Sequence, residues 1–449
     1  MTIAARLLAF RPARLLETVV TTPARKSLPP SLYAETARPP APAPRLDGDK
    51  RVSVAVVGGG FTGLSAALHL AEAGADVAVL EAHEPGWGAS GRNGGQVNPG
   101  LKHDPDQIEA DFGADLGGRM VAMSADAPNL VFDLIRRHQI ECEALQSGTL
   151  RAAFHRRGAE AVRASAGQYA RRGMPVVLLE REAIARAAGT GRYLCAMLDR
   201  RGGRVNPLGY ARGLAQAAQQ AGAAVHGQTP VTRMRREDGS WHLSTPGGTV
   251  RAEQVVLATN GYTDGLWPGL RRSIVPLFSA IAATEPLPAA VAASILPSQS
   301  VLYEAEIITV YYRLDPAGRL LMGGRSALRE IASPAELPYL TRYARSLWPA
   351  LAGVRWTHGW SGQLAITPDH YPHLHEPAPG VLACLGYNGR GVAMATAMGP
   401  QVARRILRGS AAALDMPVTT IRQIPLHGLW RGAVAARIAY GRIQDLLGL

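Results

Sequence analysis

The stretch RVSVAVVGGGFTGLSAALHLAEAGADVAVLE, residues 51–81, decides the fold. Residues 52–57 are β-branched and small apolar side chains in a nearly unbroken run, the pattern of a strand buried on both faces of a parallel sheet. The run ends in glycine. Gly58, Gly60 and Gly63 keep the G-x-G-x-x-G spacing. In that spacing the first glycine permits a tight turn, the second lets backbone approach a pyrophosphate, and the third lets helix pack on strand. Leu64, Ala67, Leu68 and Ala71 then share one helical face, Gly74 stops the helix, and residues 76–80 read as a second parallel strand. Glu81 closes that strand where an acidic side chain accepts hydrogen bonds from a ribose. A glycine triplet alone is a weak sign. Strand, turn, helix, strand and terminal acid in one continuous unit predict a dinucleotide site, its pyrophosphate at the helix N-terminus beside Phe61 and Thr62.

FAD and NAD both satisfy that unit, and the next residues bear on the choice. Residues 84–99, EPGWGASGRNGGQVNP, are a second glycine-rich segment without helical or strand periodicity, which suits backbone laid extended against a ligand such as a flavin. Through VVGGGFTGLSAALHLAEAG, Glu81, GWGASGRNGGQV and, far downstream, GYNGRGVAMATAMG, the chain resembles the D-amino-acid oxidase superfamily of FAD-dependent oxidoreductases, in the branch that includes γ-glutamylputrescine oxidoreductase. The resemblance covers most of residues 31–445. It implies an α/β (α+β) fold in which a Rossmann-like FAD-binding domain is interleaved with an antiparallel-sheet substrate domain. It also implies cofactor contacts from Ser90, Gly91, Arg92, Asn93, Gly94, Gly95 and Gln96, with residues 93–97 near the flavin's reactive N5. Val231 and Gly261 are carried over as backbone contacts on the same ground. In GYNGRG, Asn388, Gly389, Gly391 and Val392 lead into a helix of small residues, whose backbone amides and positive end suit the flavin's pyrimidine edge.

With 449 residues, 47% hydrophobic content and 49 glycines, the chain has material for two or three domains and a substantial core. The formal charge of +13 comes from 48 Lys plus Arg against 35 Asp plus Glu. Its arginines are scattered rather than blocked, which speaks for a solvated basic surface and against nucleic acid. Cys142, Cys195 and Cys384 are far apart and odd in number, so neither a disulfide framework nor a C-x-x-C pair is expected, and a cytoplasmic location fits. No apolar run is long enough to span a bilayer. Arginines 6, 12 and 14 interrupt the apolar residues of the N-terminus, which reads as a frayed or surface-docked extension rather than a signal peptide. A basic amphipathic helix on a membrane is the lesser alternative there.

In order, the chain divides into an N-terminal extension, 1–48, proline-rich from 22 onward; a discontinuous FAD-binding domain, 49–98, 200–270 and 355–410; a substrate domain, 99–199 and 271–354; and a C-terminal helical tail, 411–449. Within the extension SLYAETA, residues 31–37, resembles the segment that precedes the family's fingerprint and is expected to pack on the body. Helical spacing marks residues 105–140, 160–173, 335–348 and the arginine-bearing 421–449, and LEREAIARAAG from Leu179 resembles a short family helix. Short alternating runs at 231–235, 241–244 and 248–252 suggest an antiparallel meander, 254–259 a further buried strand, and Asp-Pro-Ala-Gly at 315–318 a hairpin.

The implied chemistry is transfer of hydride from a carbon bearing an amine to non-covalently held FAD, giving an imine that water hydrolyses. No catalytic base can be named, since a neutral amine needs none. Tyr312, Arg313, Trp360 and Gln363 are candidates to line the substrate side. Arg313 would clamp a carboxylate bidentately in a closed pocket, although an arginine on a strand is more often a surface ion-pair partner. His370, His373 and His375 invite a metal, but the prolines around them make a loop and no further ligands are identifiable, so no metal is expected. Cys384 raises a cysteinyl-flavin link, against which its apolar strand speaks for a buried structural thiol. The preferred reading is an FAD-dependent oxidoreductase acting on an amine or amino acid, γ-glutamylputrescine-like or a secondary amine, with oxygen as acceptor. The alternatives are a membrane-associated dehydrogenase passing electrons to quinone, a nicotinamide-dependent flavin reductase, disfavoured for want of a second fingerprint, and a non-catalytic FAD-bound scaffold.

Overall fold

The computed structural model describes residues 27–306, 309–325, 329–411, 413–436 and 440. The basic N-terminal stretch and the end of the C-terminal tail, Arg437 and Arg442 included, lie outside the described residues.

The quoted stretch forms the centre of a nine-stranded sheet. Lys50–Val57 pairs in parallel with Gly248–Leu257 on one side and Val77–Leu80 on the other. Val381–Leu385 and Ala224–His226 extend the parallel set outward. The runs expected as two strands, 248–252 and 254–259, are one strand, Gly248–Leu257. With no breaker between its halves, it pairs antiparallel with Ser240–Thr245 through residues 248–252 and parallel with Lys50–Val57 through residues 250–257. Phe61–Glu72 and Gly391–Arg408 lie against each other on this sheet so closely that a Cβ on Gly399 would stand 2.2 Å from Ser65 Oγ. The Ser65 hydroxyl donates to the Thr396 carbonyl at 2.8 Å.

A second, eight-stranded sheet runs in the order Trp356–Ile366, Val275–Thr284, Leu320–Arg325, Tyr311–Leu314, Val301–Glu304, Thr149–Ala153, Cys195–Asp199, Val176–Glu180. All its pairings are antiparallel except Val301–Glu304 with Thr149–Ala153. The helix resembling a family element at Leu179 is Arg181–Ala188, and Leu179 itself belongs to the preceding strand, Val176–Glu180.

Two segments sit differently from the division read off the sequence. Trp356–Ile366, expected to open the last FAD-side segment, is hydrogen-bonded along its length to Val275–Thr284 in the second sheet. The helical stretch 105–140 is two helices, Pro105–Phe112 and Ala114–Arg137, broken at Gly113 with φ 79°. Its apolar face, Ile108, Met120, Val131 and Phe132, joins the core under the nucleotide-sheet helices. In the tail, residues 421–424 are extended, Leu426 has φ 52°, and the helix begins only at Trp430. Pro425 accounts for the delay, because the residue before a proline is driven out of the helical region.

Candidate active site

Where the two sheets face each other they enclose a cavity of about 310 Å³. One wall is built mainly of backbone. Gly58 turns the chain at φ +106°, and a Cβ on Gly63 would lie 2.1 Å from the Gly58 carbonyl oxygen, so helix and turn touch without side chains between them. Phe61–Glu72 therefore starts at the cavity with no capping side chain on Gly60, and Gly60, Phe61 and Thr62 stand in the wall. Ser90 crosses from the second glycine segment to accept the Phe61 N–H at 3.0 Å. Gly391–Arg408 likewise begins at the cavity uncapped by a side chain, with Asn388, Gly389, Gly391 and Val392 in the wall. Asn388, at φ 52°, holds that turn by accepting the Thr367 N–H at 3.0 Å and donating to the Gly386 carbonyl at 2.6 Å. Two helix N-termini thus aim the positive ends of their dipoles into one space, where negative charge is stabilised.

Ala89, Ser90, Arg92, Asn93, Gly94 and Gln96 continue the wall. Asn93 ties this loop to itself, donating to the Ala89 and Ser90 carbonyls and accepting the Gly95 N–H at 2.8 Å. Gln96 reaches the other sheet, its amide donating to the Leu302 and Tyr312 carbonyls at 2.9 and 3.1 Å.

The facing wall is built of side chains. Tyr303 and Arg151 sit directly opposite each other on paired strands. Arg151 donates to Asp104 Oδ1 at 2.8 Å and to Ser165 Oγ at 3.0 Å. Arg390 closes that end from the other domain, donating to the Tyr303 hydroxyl at 2.9 Å with its guanidinium 4.9 Å from the ring centroid. Lys102, Glu304, Glu306, Tyr311 and Ser279 complete it. Tyr311 shares a 2.9 Å hydrogen bond with Ser279 Oγ, and burial raises its pKa, so the phenol stays protonated at neutral pH. Glu304 turns its carboxyl into the second core, where the Tyr193 and Tyr343 hydroxyls both donate to Oε1. Burial pushes that carboxyl up to about 7.

Of the residues singled out from the sequence, Gly60, Phe61, Thr62, Ser90, Arg92, Asn93, Gly94, Gln96, Asn388, Gly389, Gly391 and Val392 line the cavity. Gly58, Gly63, Gly91 and Gly95 stand behind it as packing positions. Glu81 lies at the end of its strand, half-buried, accepting the Gly59 and His83 N–H groups at 2.7 and 2.9 Å. Burial raises its pKa and these two hydrogen bonds oppose the rise. Val231 belongs to the core on the other face of the nucleotide sheet, and Gly261 packs against Gln363 and Leu364.

The four substrate candidates are not in the wall. Tyr312 points to the opposite face of its strand and meets the Tyr193 hydroxyl at 3.0 Å, while Trp360 donates to the Arg92 carbonyl at 3.0 Å. The Gln363 amide donates to the Gly261 carbonyl. Arg313 is 2% exposed and wholly engaged with the protein. Sequence reasoning missed their neighbours. Tyr311 shares a strand face with Arg313, and Arg390 lies inside the quoted GYNGRG, where a cation between two glycines was a usable sign.

Cys384 lies outside the wall, fully buried, with its thiol pushed up to about 12 by burial. His373 pairs with Asp369 at 3.0 Å and His375 bonds the Thr419 carbonyl at 3.0 Å. Among the described residues no group of three or more His, Cys, Asp and Glu could hold a metal ion, and no helix is long and apolar enough to cross a membrane. The uncapped helix ends and the glycine turns that admit no Cβ fit a long anionic cofactor with a pyrophosphate, such as FAD.

Residues 53–405 match the family model described as FAD dependent oxidoreductase (DAO). The chain is 32% identical over 425 residues to γ-glutamylputrescine oxidoreductase of Escherichia coli (strain K12), covering 93% of this chain and 99% of that protein. It is 32% identical over 379 residues to a probable oxidoreductase OrdL of Rhizobium meliloti (strain 1021), covering 83% and 87%. The crystal structure of glycine oxidase from Geobacillus kaustophilus superposes with a TM-score of 0.69 at 24% identity, over 84% of this chain and 100% of that one.

Proposed function

This chain belongs to the DAO family of FAD-dependent oxidoreductases, and from that premise we propose that it oxidises a C–N bond of a small amine bearing a carboxylate, with oxygen as acceptor. The observation that carries the reading is the cavity between two unlike walls. The glycine turns and two helix N-termini would hold FAD non-covalently, and the flavin supplies the hydride acceptor when bound. The chain's own contribution is placement and charge. The helix ends favour the negative charge that gathers on their side as hydride leaves the substrate. Gly94 and Asn93 hold the reacting region open from the loop side, and Gln96 fixes the distance between the sheets.

Across from them, Lys102, Arg151 and Arg390 suit a carboxylate, and Tyr311 can donate a hydrogen bond to a substrate oxygen or nitrogen. Glu306 gives the same wall an acidic side suited to an ammonium group. Both charges occur together in amino acids and in γ-glutamylated amines, and the E. coli relative is named for γ-glutamylputrescine. The amine loses its proton to solvent before oxidation, and the imine product is hydrolysed by water.

Anaerobic absorbance of the flavin-loaded protein, mixed in turn with γ-glutamylputrescine, putrescine, sarcosine and D-amino acids, tests this. Bleaching by a carboxylate-bearing amine and recolouring on admission of air are expected. Bleaching that air does not reverse would move the acceptor to quinone, and a flavin that no amine bleaches would overturn the reading.

A further inference from the structure

The proline-rich extension carries a short element that is more deeply buried than a peripheral arm needs to be. Ser31 caps Leu32–Thr36 by accepting the Ala34 N–H at 3.2 Å, and Leu32 and Tyr33 are 2% and 1% exposed. They pack with Leu208, Ile281, Ala283, Leu321 and Trp360, behind the loop that forms the cavity wall. Three contacts run from the arm toward that loop. The Trp87 indole donates to the Ser27 carbonyl at 3.0 Å. The Tyr33 ring meets Trp360 edge-on at 5.0 Å, and the Trp360 indole donates to the Arg92 carbonyl at 3.0 Å. The Tyr33 hydroxyl accepts from Arg313 Nη2 at 3.2 Å, while Arg313 Nε donates to the Gly94 carbonyl at 2.8 Å.

Arg313 also donates to the Val205 carbonyl at 3.2 Å and the Leu314 carbonyl at 3.4 Å. Among the described residues no carboxylate pairs with it. A buried guanidinium satisfied by neutral oxygens contributes geometry rather than net stability. The geometry it fixes is one peptide plane. The Gly94 carbonyl points back to Arg313 while the Gly95 N–H of the same peptide points to Asn93 Oδ1 at 2.8 Å. Gly95 has φ +67°, and a Cβ there would stand 2.8 Å from Arg313 Nη2, so guanidinium and glycine are matched.

We propose that Tyr33 and Arg313 are positioning residues: the N-terminal arm, through the Tyr33 hydroxyl and the Arg313 fork, sets the orientation of the Gly94–Gly95 peptide in the wall of the cavity. The inference rests on the reading of that cavity as the flavin site. It gives Arg313 a role other than clamping a substrate carboxylate.

Hydrogen exchange of the cofactor-free protein over residues 92–97 tests it without any activity. Tyr33→Phe deletes one hydroxyl, and a hydrogen bond to a charged donor is worth enough to speed exchange in the loop about tenfold. Arg313→Lys keeps the charge but loses the fork, and the same acceleration is expected. Glu35→Ala is the control, because it cuts the arm's exposed contact with His358, 2.9 Å long, without touching Arg313. In flavin-loaded protein Tyr33→Phe should also change the visible circular dichroism of the cofactor. Loop exchange unchanged in Tyr33→Phe, or raised as much by Glu35→Ala, would overturn the proposal. A wild-type protein that takes up no FAD would overturn the functional reading instead, and the exchange result would stand on its own.

Discussion

The two walls of the cavity are made by opposite means. On the nucleotide-sheet side the ligand-facing atoms are mostly backbone, exposed because Gly60, Gly94, Gly389 and Gly391 carry no side chain there and because Gly58 and Gly63 behind them let turn and helix pack closely. On the second-sheet side the facing atoms are phenols, guanidinium groups and the Glu306 carboxyl, with the guanidinium groups held by neighbouring groups: Arg151 by Asp104 and Ser165, and Arg390, reaching in from the nucleotide-sheet side, by the Pro99 carbonyl and Tyr303. A backbone wall accepts any molecule with the right phosphate geometry and tolerates little substitution. A side-chain wall can be rewritten residue by residue while the sheet behind it stays. The first suits a cofactor shared by a whole family, and the second suits a substrate that changes within it.

The sharpest way to break this contrast is to put a methyl group into the packing that supports the backbone wall. At Gly63 a Cβ would collide with the Gly58 carbonyl at 2.1 Å, and neither atom belongs to a flexible side chain. Gly63→Ala should therefore cost about 3 kcal/mol or more and abolish flavin uptake. Gly391→Ala is the internal comparison, since a Cβ there meets only Tyr387 Cβ at 3.8 Å. It should melt within a few degrees of wild type. Thermal melts and the flavin-to-protein absorbance ratio measure both, and equal damage at the two glycines would mean that the first turn is no more constrained than the second.

The same contrast decides what could be read from the sequence. The backbone wall was legible because each glycine answers a local demand: Gly58 a positive φ, Gly63 a helix resting on its own turn, Gly389 a left-handed step at φ +87°. Those demands are met within a few residues of chain, so spacing alone exposes them. Tyr303 and Arg151 come together through a parallel pairing of strands about 150 residues apart, which no local pattern records. Arg313 shows the limit well. Its residue type suggests a carboxylate clamp, yet Tyr312, the neighbouring candidate, leaves the opposite face of the same strand. What removes it from the cavity is the arm, whose Tyr33 and Leu32 fill the space behind Gly94 and Gly95. The merged strand Gly248–Leu257 and the late start of the C-terminal helix were missed for smaller reasons, an absent breaker in one and Pro425 in the other.

A middle-sized effect is expected inside the second sheet, where burial pushes the Glu304 carboxyl from an ordinary 4.5 up to about 7. Between those two values the folded protein keeps a proton that the unfolded chain has released. Stability should therefore be highest below pH 4.5 as far as this group is concerned, fall as pH rises through the window, and level off above 7. The size is on the order of 3–4 kcal/mol at about 1.4 kcal/mol per unit. Glu304→Gln keeps an acceptor for Tyr193 and Tyr343 and removes the titration, so its melting temperature should gain on wild type between pH 5 and pH 8. Parallel pH profiles for the two proteins would show that the carboxyl is hydrated through the cavity, and that this wall is wetter than its packing suggests.

The smallest effect separates the walls most cleanly. Arg151 stands in the side-chain wall, and its hydrogen-bond partners Asp104 and Ser165 are both outside the nucleotide sheet. If the cationic end of the cavity selects the substrate, Arg151→Gln should raise KM about tenfold for a carboxylate-bearing amine, since a charge-assisted hydrogen bond is replaced by a neutral one. For an amine of similar length without a carboxylate KM should barely move, because nothing in that molecule uses the guanidinium. Flavin content should equal wild type in either case. The pairing of substrates matters more than the size of either change: a general loosening of the sheet would raise both KM values together, and a guanidinium that reached the cofactor would lower flavin content before it altered either. Only a selective loss for the carboxylate, at full flavin occupancy, assigns substrate choice to one wall and cofactor retention to the other.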